Sequence, residues 1–271
     1  MNPEFNPLDN RLLAALPQGE LRRWRTVFEP VELRLGQTLY EPGRTPPGLY
    51  FPTTAVVSVL CPTRDGDCDE VAVIGREGVV GVSLLMDGES TPGRAVVQSA
   101  GRALRLPAWA AREAFEHSAQ VLHLMLRYSL ALGAQVAQIS VCNRRHPLEQ
   151  RMRRRLLQAV DRQPGRELAM THEQLASLLG VRRESVTTEA HKLQKAGCVQ
   201  YTRGHLLVVD RAGLALHACE CHAAAEAEYN RLLPSVAAPV EPAIRVARTN
   251  DGMHTANART ATPPPVYAFA D

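Results

Sequence analysis

The sequence has 271 residues, enough for one or two domains of about 100 to 200 residues each. Hydrophobic residues make up 45% and charged residues 22% of the chain, which excludes a wholly disordered, collagen-like or coiled-coil protein. Only 6 residues are cysteine, so a disulfide scaffold is not expected. The first residues lack a secretory signal, and the most apolar run, 121–141, contains Arg127. We therefore expect a cytoplasmic protein with reduced thiols and no membrane partner.

Charge is distributed unevenly along the chain. Residues 144–212 carry 14 Lys and Arg against 7 Asp and Glu, a net charge of +7, whereas residues 1–143 and 213–271 each have a net charge of −2. Such a basic segment predicts binding to a polyanion, because Lys and Arg at phosphates release condensed counterions. The run RMRRRLL, 151–157, leaves two interpretations open: part of that binding surface, or a solvated helix face.

The N-terminal half predicts an antiparallel β domain. Turn signals at 41–43, 65–66 and 87–88 separate short apolar or alternating runs. Many short strands at this spacing are typical of a β-barrel or jelly roll. The predicted strands are 31–35, 49–51, 55–60, 70–74, 94–99 and 102–106.

After Pro107 the hydrophobic period becomes helical, with a short helix to 116 and a long one over 118–143. Besides the apolar stripe facing its own domain, the long helix can offer a seam to a second copy, so we predict a homodimer. The alternative is a helix packed only on its own domain. His146-Pro147 ends this helix, predicting a hinge before a new helix from 148. The stripe is formed by Val121, Met125, Tyr128, Leu132, Val136 and Ile139.

Residues 170–210 carry the most informative motif, two short helices followed by a hairpin. Thr171, followed three residues later by Gln174, is a capping-box signature for the start of the first helix. Leucines supply its apolar stripe, and Gly180 ends it. The tight glycine-containing turn leads directly into the second helix, as in helix-turn-helix proteins.

The second helix of the motif is predicted over 182–196. Val186, Ala190 and Leu193 form its apolar face at spacings of four and three. Two short strands at 199–202 and 205–209 follow, as in the wing of a winged helix-turn-helix. The opposite, polar face of the helix presents Arg183, Glu184, Thr187, Thr188 and His191.

On these residues the sequence resembles the Crp/Fnr family of bacterial transcription regulators over about 8–222. The match is best at R-R-E-S-V, 182–186, followed by the wing. The resemblance implies an α+β protein with an N-terminal cyclic-nucleotide-binding-like β-barrel or jelly roll, a long dimerisation helix and a C-terminal winged helix-turn-helix. It also implies double-stranded DNA, a second copy of the chain and RNA polymerase as partners.

The resemblance places Arg183 and Glu184 where the family reads bases. Arg can donate two parallel hydrogen bonds to guanine, and Glu can accept one from cytosine. Thr188 stands where some members carry a second base-reading Arg. The alternative for Arg183 and Glu184 is a mutual surface ion pair. The other candidate DNA contacts, suited mainly to phosphates, are Thr171, Thr187, His191, Lys192 and Arg203.

The family's cyclic-nucleotide site uses a Glu for the ribose and an Arg for the phosphate. Here Val82 stands where the Glu is expected, and Arg94 falls one place off the phosphate position. A buried anionic ligand would be poorly satisfied by these groups, so we predict no control by cyclic AMP. Arg94 is the candidate effector-binding residue, or else a surface arginine of the β domain.

One short segment is rich in potential metal ligands: His217, Cys219, Cys221 and His222. Structural zinc sites usually draw two ligand pairs from separated segments, and iron–sulfur sites need four thiolates. The other cysteines show no C-x-x-C pairing that would complete such a site: Cys61, Cys68, Cys142 and Cys198. We therefore predict no bound metal or other cofactor.

We predict a regulator rather than an enzyme, because the catalytic motifs G-x-S-x-G, H-E-x-x-H and G-x-x-x-x-G-K-S/T are absent from the sequence. The alternatives are an interaction module that has lost sequence-specific DNA reading, or a metal- or redox-responsive regulator using 217–222. The predicted domains are the β domain at 1–117, the dimerisation helix and hinge at 118–146, the DNA-binding domain at 147–222, and a disordered Ala- and Pro-rich tail at 235–271.

Overall fold

The computed structural model describes residues 5–64, 68–86, 91–202 and 204–233. The predicted turns at 65–66 and 87–88, Arg203 and the predicted disordered tail at 235–271 lie outside these described residues. The N-terminal half begins with two helices, α1 (Arg11–Ala14) and α2 (Gln18–Arg25). Its strands are β1 (Glu29–Leu33), β2 (Thr38–Tyr40), β3 (Gly48–Pro52), β4 (Val56–Pro62), β5 (Cys68–Ile74), β6 (Arg94–Ser99) and β7 (Gly101–Pro107).

These strands form two antiparallel sheets, which we call the sandwich (29–107). One sheet has the order β1-β7-β3 and the other β2-β6-β4-β5. The predicted antiparallel β domain is confirmed, but a closed barrel is wrong, because the described strands hydrogen-bond within two separate sheets. Apolar side chains from both sheets fill the space between them, among them Tyr50, Val57 and Val97.

Helices cover the outer face of the first sheet. Leu49 and Phe51 of β3 pack against this helical layer, while Tyr50 faces the other sheet, so both faces of β3 are buried. The layer is formed by α1, α2, α3 (Ala108–His117) and the long helix α4 (Ala119–Arg145). The predicted short helix to 116 and the predicted long helix over 118–143 correspond to α3 and α4, and their ends agree within one or two residues.

Helix α4 has one buried and one exposed face. It begins at Ser118, whose hydroxyl accepts a hydrogen bond from the Val121 amide, and it ends at His146 before Pro147. Tyr128 is fully buried and donates its hydroxyl to the carbonyl of Val79 at 2.9 Å. Ser118 thus satisfies one of the free amides at the start of the helix, and Pro147 prevents the helix from continuing.

The C-terminal half forms a second core. Strand β10 lies between β8 and β9 in a small antiparallel sheet, and the helices bury leucine, valine and alanine side chains against it. We call 148–216 the winged module. Its elements are α5 (Leu148–Asp161), β8 (Glu167–Ala169), α6 (His172–Leu179), α7 (Arg183–Lys195), β9 (Val199–Thr202), β10 (His205–Val208) and α8 (Arg211–Leu216).

A last helix, α9 (Cys221–Leu232), runs back to the helical layer of the sandwich. Tyr229 and Leu232 of α9 belong to the same buried cluster as Tyr128 of α4. Gln135 of α4 donates a hydrogen bond to the Tyr229 hydroxyl at 2.8 Å. In the part of the chain that the structure describes, no helix combines the length and the hydropathy needed to cross a membrane.

The basic run at 151–157 fits neither of its two interpretations. Arg153, Arg154 and Arg155 are only 5%, 3% and 1% exposed, so they form neither a solvated face nor a phosphate-binding surface. Arg153 pairs with Glu149 within its own helix. These three arginines therefore place part of the positive charge of the winged module inside the protein.

Two buried ion pairs join α5 and its C-terminal end to the sandwich. Arg155 Nε lies 2.6 Å from Glu70 Oε1 in β5, and Arg162 Nε lies 2.8 Å from Glu77 Oε1. Burial raises the pKa of Glu77, while the guanidinium of Arg162 opposes that rise. A buried charge without a partner is costly, so these pairs bind the winged module to the sandwich in a defined orientation.

Candidate nucleic-acid interface

Local sequence fixes the geometry of α6 and the turn after it. The Thr171 hydroxyl accepts a hydrogen bond from the Gln174 amide, and the Gln174 side chain accepts one from the Thr171 amide, which confirms the predicted capping box. Gly180 ends the helix in the left-handed region, with φ of 61°, where a side chain would be strained. The turn then starts α7 at Arg183.

Helix α7 has the two faces that the sequence predicts. Val186, Ala190 and Leu193 are buried in the core of the winged module. The Thr187 side chain is half-buried on the boundary between the faces. The exposed candidate residues on the described structure are Thr171, Arg183, Glu184, Thr188, His191 and Lys192.

The charged candidates make only loose surface contacts. Arg183 Nε lies 3.9 Å from Glu173 Oε2, with both side chains mostly exposed. The ion pair considered between Arg183 and Glu184 is therefore not the one in the structure. Lys192 pairs with Glu189 on its own helix at 2.9 Å. Both cations are mostly exposed, at 65% for Arg183 and 61% for Lys192. Ion pairs of exposed side chains contribute about 0 to 1 kcal/mol, so both residues can exchange these partners for a ligand.

The two threonines on α7 bond to their own helix. The Thr187 hydroxyl donates to the Arg183 carbonyl and the Thr188 hydroxyl to the Glu184 carbonyl, each at 3.0 Å. His172 Nδ1 also lies 3.1 Å from the Thr187 hydroxyl oxygen. Thr187 therefore helps to fix α7 against the start of α6, in addition to any contact with a ligand.

His172, the first residue of α6, has a structural role. Its ring stacks on Tyr201 of β9 with centroids 4.1 Å apart. Burial, together with the nearby charges of His191 and Arg183, lowers the His172 pKa and so favours the neutral ring. The stack joins the start of α6 to the wing. The spacing in the sequence gives no signal for it, because the two rings come together only in the fold.

Two family models match the sequence over most of the two modules. A cyclic nucleotide-binding domain matches residues 30–118, and a Crp-like helix-turn-helix domain matches residues 150–216. The chain belongs to the Crp/Fnr family of transcription regulators. It is thus a DNA-binding transcription regulator, and the alternative of an interaction module is not favoured.

Solved structures show the same Crp/Fnr fold. FixK2 from Bradyrhizobium japonicum is 17% identical, with 71% of this chain and 98% of that chain covered and a TM-score of 0.60. A CRP-family regulator from Thermus thermophilus is 20% identical, with coverages of 69% and 96% and a TM-score of 0.58. The c-di-GMP responsive global regulator CLP from Xanthomonas campestris is 15% identical, with coverages of 72% and 100% and a TM-score of 0.55. A search of curated proteins found no significant match.

The region where the family binds cyclic nucleotides contains an apolar side chain, that of Val82, in this chain. Val82 opens a 3-10 helix at Val82–Met86 and packs against the helical layer. Arg94 is the first residue of β6, opposite Leu60. Its side chain is half-buried, and among the described residues its Nε atom has no hydrogen-bond partner. Gln138 of α4 donates a hydrogen bond to Cys221 Sγ at 3.1 Å.

The Cys and His residues form a different group from the one that the sequence suggests. Ligand atoms of Cys142, His146, Cys219 and Cys221 all lie within 4.8 Å of one another. The conclusion that Cys142 completes no cluster is wrong, because the C-terminal segment folds back onto the end of α4. His217 and His222, the other two weak candidates, are not members of this group.

His222 has a separate structural role. Its Nε2 lies 3.0 Å from Asp161 Oδ2, and Arg211 binds the same carboxylate at 2.6 Å. Burial raises the pKa of Asp161, but the hydrogen bonds from His222 and Arg211 outweigh that effect, so its pKa lies below the usual range. Asp161 therefore links α5, α8 and α9 in its ionised form.

Proposed function

We propose that this protein binds DNA as a homodimer and reads a palindromic operator through α7. The observation that carries the proposal is the two-faced character of α7, whose apolar face is buried while Arg183 and Glu184 at its start are exposed. The N-terminal part of a recognition helix is the part that contacts base edges in the major groove. A two-fold dimer would then bind half-sites about 34 to 36 Å apart.

The proposed base contacts are those of Arg183 and Glu184. A bidentate contact from Arg183 to guanine and an acceptor contact from Glu184 to cytosine would each supply about 1 to 3 kcal/mol of discrimination. Phosphate contacts from the surrounding side chains would set the register without reading sequence. We assign these contacts to Thr171, Thr187, His191, Lys192 and Arg203, and we assign Thr188 to the base-reading surface beside Arg183 and Glu184.

The exposed face of α4 supports the dimer. Leu126 and Leu130, one helical turn apart, are 51% and 59% exposed, so together they form an apolar patch that a second copy could cover. The exposed positions on this face run from His123 through the two leucines to Gly133 and Ala137. Their spacings alternate between three and four residues, as in a coiled-coil seam. The small residues would let the two helices approach closely.

We further propose that the N-terminal domain (1–117), which contains the sandwich, is a sensor domain. In this proposal α4 with the hinge (118–146) connects it to the DNA-binding domain (147–222). Any effector must bind two arrangements of these parts unequally in order to control DNA binding. Val82 in place of the family's Glu, and Arg94 one place off the phosphate position, argue against control by cyclic AMP. RNA polymerase is the proposed protein partner, the cytoplasm the proposed location, and no residue is assigned a catalytic role.

Light scattering tests the dimer. At micromolar concentration the wild-type chain is expected to show twice its monomer mass, whereas Leu126→Glu/Leu130→Glu is expected to be monomeric, because it places four negative charges in the seam. Arg112→Glu on α3, also exposed, serves as the control and should stay dimeric. A monomeric wild-type protein would contradict the proposal.

The salt dependence of binding to a mixed DNA duplex tests the phosphate contacts. Lys192→Ala is expected to weaken binding to all sequences about equally and to reduce the slope of log K against log salt by about 1 per protomer. Arg112→Ala, far from the winged module in sequence, should leave the slope unchanged. An unchanged slope for Lys192→Ala would remove Lys192 from the interface.

A further inference from the structure

We propose that Cys142, His146, Cys219 and Cys221 form a four-ligand Zn²⁺ site that joins the end of α4 to the start of α9. The distances among the ligand atoms carry this inference. Cys142 Sγ lies 3.5 Å from Cys219 Sγ, and Cys221 Sγ lies 3.4 Å from His146 Nδ1. A tetrahedral zinc ion, with bonds of about 2.3 Å to sulfur and about 2.0 Å to nitrogen, places its ligands about 3.5 to 3.8 Å apart.

The chain supplies the ligands as two pairs from separated segments. Cys142 lies in the last turn of α4, and His146, four residues later, is the residue that ends the helix and donates its backbone N–H to the Cys142 carbonyl. Cys219 and Cys221 flank Glu220, and Cys221 is the first residue of α9. Two short-range pairs that meet in space are the arrangement typical of structural zinc sites.

The surroundings suit a bound zinc ion. His146 Nε2 lies 3.3 Å from Glu220 Oε1, so with Nδ1 on the metal the ring would donate its other N–H to a carboxylate, as metal-binding histidines usually do. Gln138 donates a hydrogen bond to Cys221 Sγ. Arg151 and Arg154 both interact electrostatically with Cys142, which offsets the net negative charge of three thiolates around one Zn²⁺.

The geometry favours a single ion over an iron–sulfur cluster. A cluster places its own iron and sulfide atoms between the ligands, so the ligand atoms must stand further apart than the 4.8 Å limit found here. Zinc accepts a set of three cysteines and one histidine and needs no open position when its role is structural. The bound ion would fasten α9, which packs on α4, to the hinge before Pro147.

The test is metal analysis of the untagged, full-length protein purified without chelators. We expect about one zinc per chain, and we expect Cys142→Ser and Cys219→Ser to lower that content at least about tenfold. Cys61→Ser, in β4 and outside the group, should keep its zinc. A stoichiometric iron content, or a metal-free wild-type chain with free thiols or a Cys142–Cys219 disulfide, would overturn the proposal.

A second measurement does not depend on the folding of the variants. The wild-type protein is stripped of metal with a chelator and titrated with Co²⁺. The intense visible absorption of tetrahedral cobalt bound to thiolates is expected to saturate at one Co²⁺ per chain and to disappear when Zn²⁺ is added. Weak absorption typical of six-coordinate Co²⁺ would show that the four side chains do not form the site.

Discussion

Glu70→Gln is expected to lower the free energy of unfolding by about 3 to 5 kcal/mol. Arg155 and Glu70 are 1% and 3% exposed, with Nε and Oε1 2.6 Å apart. Glu70 also accepts a hydrogen bond from the Ser58 hydroxyl at 2.7 Å. Arginine does not release its proton in proteins, so Arg155 stays charged in the variant. The uncharged amide of Glu70→Gln would leave that buried positive charge without a counterion.

Urea unfolding followed by circular dichroism measures this loss. Glu167→Gln is the matched control, because Glu167 pairs with His205 on the surface, where the two side chains are 65% and 60% exposed. That control should change stability by no more than about 0.5 kcal/mol. Hydrogen exchange should also become faster in β5 and α5 of Glu70→Gln. A loss similar to that of the control would mean that the ion pair does not hold the winged module on the sandwich.

Tyr229→Ala is expected to cost about 3 to 5 kcal/mol, the range for removing a large buried aromatic side chain. Tyr229 is 1% exposed and packs against Tyr128, with ring centroids 6.3 Å apart. The guanidinium of Arg162 lies 5.8 Å from its ring centroid. The substitution would therefore leave a cavity between α4 and α9 and expose neighbouring polar groups without partners.

Two companion variants separate packing from hydrogen bonding. Tyr229→Phe keeps the ring and removes only the partner of Gln135, so we expect a loss of about 1 to 3 kcal/mol. Leu216→Ala, at a position 78% exposed, should change stability little. Thermal or urea unfolding of the three proteins gives the comparison. If Tyr229→Ala were no worse than Tyr229→Phe, α9 would not be part of the core.

The sequence predicts the elements whose signals are local. Ser118, the capping box of Thr171 and Gln174, and the glycine at 180 mark helix ends through contacts with their own neighbours. Alternating or continuous apolar runs likewise reveal most strands of the sandwich. The sequence does not reveal the three-residue strands β2 and β8, because so short a strand has no measurable hydrophobic period.

The sequence does not predict features that depend on distant partners. The run at 151–157 indicates a charged surface, but its Arg155 binds Glu70, which is 85 residues away. The same holds for the Cys and His group, in which Cys142 and Cys219 are 77 residues apart. Only the fold brings these side chains together, so charge and spacing alone lead to the wrong partners.

Selection of bound fragments from random DNA by the purified protein tests the central claim most directly. We predict enrichment of one palindrome with half-sites about one helical turn apart. Arg183→Ala/Glu184→Ala should lose the base preference, whereas Lys192→Ala should enrich the same palindrome with weaker binding. No enriched palindrome, or the same palindrome from Arg183→Ala/Glu184→Ala, would contradict the assignment of base reading to α7.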